Sequence, residues 1–432
     1  MMEAMESSSS GGAMDEALLA LASLSRSPIW LHVLLADRCN HACQHCYQVQ
    51  GLKGELTTAQ VEQLLIEFRA SGGFVVSFSG GEATLRDDLL ALLARAHSLG
   101  LATVLYTKGF TMTEALAAAL AACQVWRVEI SLYSHLAEEH DAVTRTPGSW
   151  GKTTRGIRWL RANGLNVTLK FTPTALSSSK PEDLATLARD LDTHLFIAEL
   201  VSAGEAGRLE PTAVRRSPEN AITGFVSAQG ELDQSLAGKP CNAGTQLTVR
   251  SDGLVQPCPL LQVPMGQIGQ TSVKLEHVGV SPAAGFFREV TWADFPGCRE
   301  CDLRAHCRRC YASAVAEVGD MMAPYSGACE LAVARYRAFT GQPAVIASDD
   351  TDRDPRIGPY RLDSSGNLQA TQARYTADDD ALVHRYPWLR QSREALQSSA
   401  CSVEPSLQQR GLIQLRRSRD RERERNVETM TR

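Results

Sequence analysis

From Leu31 onward the chain alternates short apolar runs with amphipathic stretches, a rhythm that few folds accommodate. The runs LHVLLA (31–36), FVVSF (74–78), ATVLYT (102–107), WRVEISL (126–132), NVTLKFT (166–172) and HLFIAELV (194–201) read as strands. Residues 57–72, 87–100, 113–123, 151–164 and 181–191 read as helices, the first capped by Thr57 or Thr58 and ended before Gly72. Continuous β-branched runs alternating with helices predict a parallel sheet covered on both faces. The fold class is therefore α/β, as a partial barrel or a doubly wound sheet, which periodicity alone does not separate. In either case function gathers at the C-terminal ends of the strands.

The remainder of the chain is less regular. Residues 1–28 read as a flexible leader with one short helical stretch from Asp15 to Leu24, 29–205 as the α/β core and 206–240 as a connection. Residues 241–335 are cysteine-rich and read as a small domain organised by metal, and 336–432 as a polar, poorly ordered tail with the alternating-charge run 416–425. A net charge of −5 across 432 residues argues against a nucleic-acid or membrane-surface partner. No window approaches the roughly 20 apolar residues that span a bilayer. The acidic, small-residue start lacks the pattern of a secretory signal, which predicts a cytoplasmic protein.

In a reducing compartment, twelve cysteines point to metal or redox chemistry rather than a disulfide framework. Cys123 ends an apolar helix and reads as a small buried hydrophobe; Cys401 lies in the tail and is assigned nothing. Directly after the first strand come Cys39, Cys43 and Cys46, on one short loop and able to converge on one soft metal centre. Three thiolates leave one iron of a cubane open, the logic of a catalytic metal site. The alternative is a structural zinc loop that recruits His41 or His45.

The C-x-x-x-C-x-Φ-C spacing after a first strand resembles the radical S-adenosylmethionine (SAM) superfamily, with His45 at the usually aromatic position. Gly80-Gly81-Glu82, after the second run, matches that family's GGE element. The glycines allow close backbone approach, and the acid can receive an ammonium group. Weaker matches follow: Thr107-Lys108-Gly109 resembles the family's T-N-G with Lys for Asn, Ser131 a ribose-contacting serine, and Arg145 a carboxylate-contacting arginine. The resemblance implies a partial (β/α)6 TIM-like barrel and a 4Fe–4S cluster on Cys39, Cys43 and Cys46. It further implies SAM bound at Gly80, Gly81, Glu82, Ser131 and Arg145, and an external one-electron reductant such as flavodoxin or ferredoxin.

Beyond the barrel, Cys241 is followed by eleven residues, Gly253, four residues and Cys258; then come Cys298-x2-Cys301-x5-Cys307-x2-Cys310 and, eighteen residues on, Cys329. This resembles the SPASM domain of peptide-modifying radical SAM enzymes. It departs from that pattern at one place, since only Arg308 and Arg309 separate Cys307 from Cys310 where the pattern has three residues. The resemblance implies two auxiliary 4Fe–4S clusters, one on Cys241, Cys258 and Cys310, the other on Cys298, Cys301, Cys307 and Cys329. A zinc ribbon is the alternative, although five residues between C-x-x-C pairs is far shorter than ribbon patterns use.

The implied function is abstraction of hydrogen from a peptide or protein substrate, in maturation of ribosomal peptides. Pro259 stands where sulfatase maturases carry an Asp base, against that activity, and no general base stands out. Residues 1–28 are too few for a precursor-binding domain, which implies a separate leader-peptide-binding protein or another surface. Alternatives are a small-molecule radical SAM dehydrogenase or haem-pathway enzyme, and a non-enzymatic iron–sulfur or zinc protein.

Overall fold

A computed structural model describes residues 28–51, 54–198 and 201–217, most of 240–341, and short pieces at 346–348, 360–364 and 368–370. The α/β part runs β1 (Trp30–Ala36), α1 (Thr58–Ala70), β2 (Val75–Gly80), α2 (Leu89–Ser98), β3 (Ala102–Thr107), α3 (Glu114–Ala122) and β4 (Arg127–Leu132). It continues with α4 (Ala137–Thr144), α5 (Ser149–Ala162), β5 (Val167–Phe171), α6 (Pro181–Asp190) and β6 (His194–Ile197). Thr57 caps α1 in a reciprocal box with Gln60, and Thr113 accepts from the Leu116 amide to start α3.

Every neighbouring pair from β1 to β6 is parallel and the strand order is sequential. A doubly wound sheet would reverse direction beside its first strand; an unreversed order puts all crossovers on one side, as in a barrel. Alternation along the strands agrees. Leu31, Val33 and Leu35 of β1 share one core with Val61, Leu65 and Phe68 of α1 and with Leu92 and Leu93 of α2. The opposite strand face is polar: His32 Nδ1 meets Ser77 Oγ at 2.7 Å, and Glu129 pairs with Lys170 at 3.0 Å and Arg127 at 3.1 Å. Cys123 packs at the edge of the helix-side core, as a small hydrophobe would.

The cysteine-rich segment departs from a separate small domain. Its first strand, β7 (Gln246–Val249), adds in parallel to the free edge of β1, and β8 (Leu254–Gln256) and β9 (Gly266–Gln267) extend the sheet to nine strands. Helices α7 (Pro282–Glu289), α8 (Tyr311–Val318) and α9 (Ser326–Thr340) follow. Helix α9 runs through the expected boundary at 335, because Ala332, Val333 and Tyr336 bury against Leu303. Within the expected tail, β10 (Ile346–Ser348), β11 (Tyr360–Leu362) and β12 (Leu368–Ala370) form a small sheet. Tyr360 is buried, and its amide donates to Cys301 Sγ at 3.3 Å. The expected leader helix, the charged run 416–425 and Cys401 lie outside the described residues. Among the described residues no helix is long and apolar enough to cross a membrane.

Candidate active site

The loop carrying Cys39, Cys43 and Cys46 leaves the C-terminal end of β1 and is closed at its base by the Gly51 amide bonding to the Asp37 carbonyl at 3.1 Å. Helix α4 braces one side. The Gln44 amide bonds to the Val143 carbonyl at 3.1 Å, and His41 Nδ1 meets Thr146 Oγ1 at 2.8 Å. Residues on either side of the expected 205/206 boundary brace the other side. The Val49 amide donates to Glu205 Oε2 at 2.8 Å, and Arg208 reaches the carbonyls of Cys46, Tyr47 and Gln48 at 3.2–3.4 Å.

The Gly80-Gly81 turn at the end of β2 lies directly on this loop. Amides of Gly81 and Glu82 donate to the carbonyls of Ala36 and Arg38 at 2.8 and 3.1 Å. A Cβ on Gly81 would lie 2.2 Å from the Arg38 carbonyl oxygen and 3.0 Å from Cys39 Cβ. Gly80 sits at φ +121° with the Ala36 carbonyl 2.3 Å from any Cβ, so only glycine fits here. The Glu82 carboxylate, 2% exposed, accepts from Thr107 Oγ1 at 2.6 Å, Thr84 Oγ1 at 2.7 Å and the Lys108 amide at 2.9 Å. It thus locks β2 to β3.

Lys108 completes the arrangement. Its Nζ donates to the Gly81 carbonyl at 2.6 Å and to Cys39 Sγ at 3.1 Å. Burial alone would lower its pKa, but Glu82 and the sulfurs of Cys39 and Cys43 outweigh that and raise it, so it stays cationic. Burial pushes the Cys43 thiol up to about 12 despite Lys108, so a bound cation is needed to keep it a thiolate near neutral pH. Burial, with Lys108 adding, holds His41 and His45 down at about 4, leaving both neutral. Among the described residues, no three His, Cys, Asp or Glu side chains converge as ligands of a single ion would.

Ser131, near the end of β4, is half-buried and lies beside Tyr133, whose ring lies 4.5 Å from that of His45. Arg145 closes α4 in the left-handed conformation at φ 55°, next to Thr146; its backbone borders the loop while its side chain is exposed. The site therefore gathers Gly80, Gly81, Glu82 and Ser131 around the cysteines and leaves the Arg145 side chain at the surface.

The remaining cysteines fall into two groups. The β7–β8 hairpin turns at Gly253, whose φ of +85° leaves no room for a Cβ beside the Ile268 carbonyl, and carries Cys241 and Cys258 at its two ends. Cys310 caps α8 within electrostatic reach of both. Burial, then Cys310, pushes Cys241 up to about 12. Cys298 and Cys301 share a turn closed at 3.0 Å, and Cys307 feels Cys329, Cys298 and Cys301. The sulfurs of each group lie within electrostatic reach of one another, and among the described residues no three of them are gathered as ligands of a single ion.

Residues 33–191 match the family model of the radical SAM superfamily. They form a radical SAM domain. An AdoMet-dependent heme synthase of Nitratidesulfovibrio vulgaris is 26% identical over 332 residues, covering 66% of this chain and 88% of that protein. Mycofactocin maturase MftC of Mycobacterium ulcerans is 33% identical over 214 residues, 48% of this chain and 56% of that one. Among solved structures, Streptococcus suis SuiB bound to S-adenosylmethionine superposes with a TM-score of 0.54 at 16% identity, covering 69% of this chain and 76% of SuiB. SuiB bound to precursor peptide SuiA gives 0.53 at 14%, covering 71% and 77%. At such identities the superpositions establish a shared fold. The radical SAM family implies a 4Fe–4S cluster and SAM.

Sequence reasoning missed Glu205 and Arg208, which act through backbone groups and carry no motif. It met Lys108 and Arg309 only as departures from a pattern.

Proposed function

We propose that this chain is an enzyme that holds a 4Fe–4S cluster on Cys39, Cys43 and Cys46, cleaves SAM reductively and abstracts hydrogen from a peptide or protein. The observation that carries this is the backbone-to-backbone seating of Gly80 and Gly81 against the cysteine loop, where no side chain could stand between turn and sulfurs. The donor set fits the group. Three soft thiolates on one short loop are the donor type an iron–sulfur cluster takes. Such a cluster, when bound, supplies the electron that splits SAM into methionine and a 5′-deoxyadenosyl radical.

The chain's own residues hold and shape that site. Lys108 supplies positive charge and a hydrogen bond to the Cys39 sulfur. Glu82 fixes the Lys108 backbone, and Ser131 with Tyr133 lines the adjoining wall. Gly80, Gly81, Glu82 and Ser131 form the proposed SAM-facing surface, with the Arg145 side chain free to approach it. The seven later cysteines are proposed to hold two auxiliary clusters, and an external reductant delivers the electron. The likeness in fold to SuiB, crystallised with a precursor peptide, supports a peptide substrate. The N. vulgaris heme synthase, of which this chain covers 88%, favours a tetrapyrrole substrate as second reading.

Anaerobic reconstitution with iron, sulfide, dithionite and SAM tests the proposal. Formation of 5′-deoxyadenosine, lost when Cys39, Cys43 and Cys46 are all replaced by Ala, is the expected result; equal formation by that variant sinks it. Three clusters correspond to about twelve irons per chain and one to about four. Titration with an iron porphyrin, followed in its Soret band, separates the two substrates: tight binding favours the tetrapyrrole.

A further inference from the structure

Arg309 lies in the shortened gap between Cys307 and Cys310, so the cysteines that flank the gap belong to different groups. It is 4% exposed. One guanidinium nitrogen donates to the Met322 carbonyl at 3.2 Å and to Cys298 Sγ at 3.5 Å. The other donates to the carbonyls of Met321 and Ala323 at 2.6 and 2.8 Å. The cation stacks 4.4 Å from the centre of the Phe295 ring, and its Nε is buried with no partner.

Among the described residues no carboxylate pairs with this guanidinium. Arginine cannot shed its charge by losing a proton, and an uncompensated buried charge is strongly unfavourable. Carbonyl dipoles and a ring face offset part of that penalty, and the sulfurs are the remaining source of negative charge. We propose that Arg309 is the shared counter-charge of two iron–sulfur sites, lodged between them so that it raises the reduction potential of the Cys298 site directly and of the Cys310 site at longer range. The inference rests on the reading that these cysteines carry clusters. An electron delivered by the external reductant makes a cluster one unit more negative, and a fixed cation that donates to a ligand sulfur favours that reduced form. Arg309 itself neither gains nor loses a proton.

The test uses the full chain with Cys39, Cys43 and Cys46 all changed to Ala, reconstituted with iron and sulfide, so that only the later cysteines contribute a signal. Reduction is followed by electron paramagnetic resonance against redox mediators. In Arg309→Met the reduced-to-oxidised ratio at the parent's midpoint should fall at least about tenfold, equivalent to about 59 mV for a one-electron couple. Arg309→Lys keeps the charge and should stay within about threefold of the parent. An unmoved midpoint in Arg309→Met, or equal shifts in both variants, overturns the inference and leaves Arg309 a brace for residues 321–323. If Arg309→Met does not fold, Arg309→Lys decides, a tenfold shift at full iron content overturning the inference. A parent that binds no iron overturns the cluster reading, and this inference with it.

Discussion

Lys108 occupies a position where the radical SAM pattern has asparagine, and the substitution changes the physics of the site. Asparagine brings a neutral amide, whereas Lys108 brings a full charge to the Gly81 carbonyl and the Cys39 sulfur. Replacing it with methionine keeps the stem but removes two charge-assisted hydrogen bonds. Lys108→Met should therefore lose about 2 kcal/mol of stability, read from the urea midpoint, and its 4Fe–4S signal should bleach faster in air. A variant as stable and as air-resistant as the parent contradicts that role. Gly81 is more demanding. With a backbone oxygen 2.2 Å from any added Cβ, Gly81→Ala should cost about 3 kcal/mol and release iron even where the chain still folds. Circular dichroism and iron content on the same sample check it. The glycines and cysteines were legible because their spacing is chemical. Lys108 and Arg309 were legible only as misfits, because what a lone cation does depends on the sulfur it faces.

Among the elements, β1 to β6 and their helices could be read from apolar periodicity, since β1 to β5 each bury a continuous face and β6 keeps the apolar run while leaving Phe196 exposed. Helix α4 could not. Its sequence AEEHDAVT buries only His140, Val143 and Thr144, so the stripe that announces a helix is two-thirds polar. Yet α4 supplies the carbonyl that holds Gln44, and its geometry depends on Asp141. That carboxylate accepts from Ser149 Oγ at 2.8 Å and the Trp150 amide at 2.9 Å, tying the end of α4 to the start of α5. Hydrogen bonding holds its pKa below the usual range once the opposing effect of burial is overcome. Asp141→Ala should cost about 1 kcal/mol as a lost cap and weaken iron retention under chelator challenge. Retention equal to the parent would show that α4 does not brace the loop.

At the scale of the whole molecule, buried histidines on β1 and α4 make the fold sensitive to acid. Burial, reinforced by Lys170, holds His32 down at about 3, and burial holds His140 of α4 at about 4, against 6.5 for an ordinary histidine. Below 6.5 the unfolded chain takes up protons that the folded chain refuses. Stability is therefore full above that pH and falls as pH drops toward 4. At pH 5 each histidine accounts for about 2 kcal/mol of that loss. The urea midpoint should fall between about pH 7.5 and pH 5, and fall less in His140→Gln; parallel curves for the two proteins contradict this.

The strand β7 also orders the chain's assembly in time. Trp30 pairs with Gln246, so one edge of β1 stays unsatisfied until most of the core has been made. An open parallel edge is a template for pairing with another chain. The cysteine-rich segment is thus the barrel's edge guard as well as a bearer of sulfur. A chain ended before residue 246 should aggregate even with Cys39, Cys43 and Cys46 intact, which light scattering during refolding would reveal.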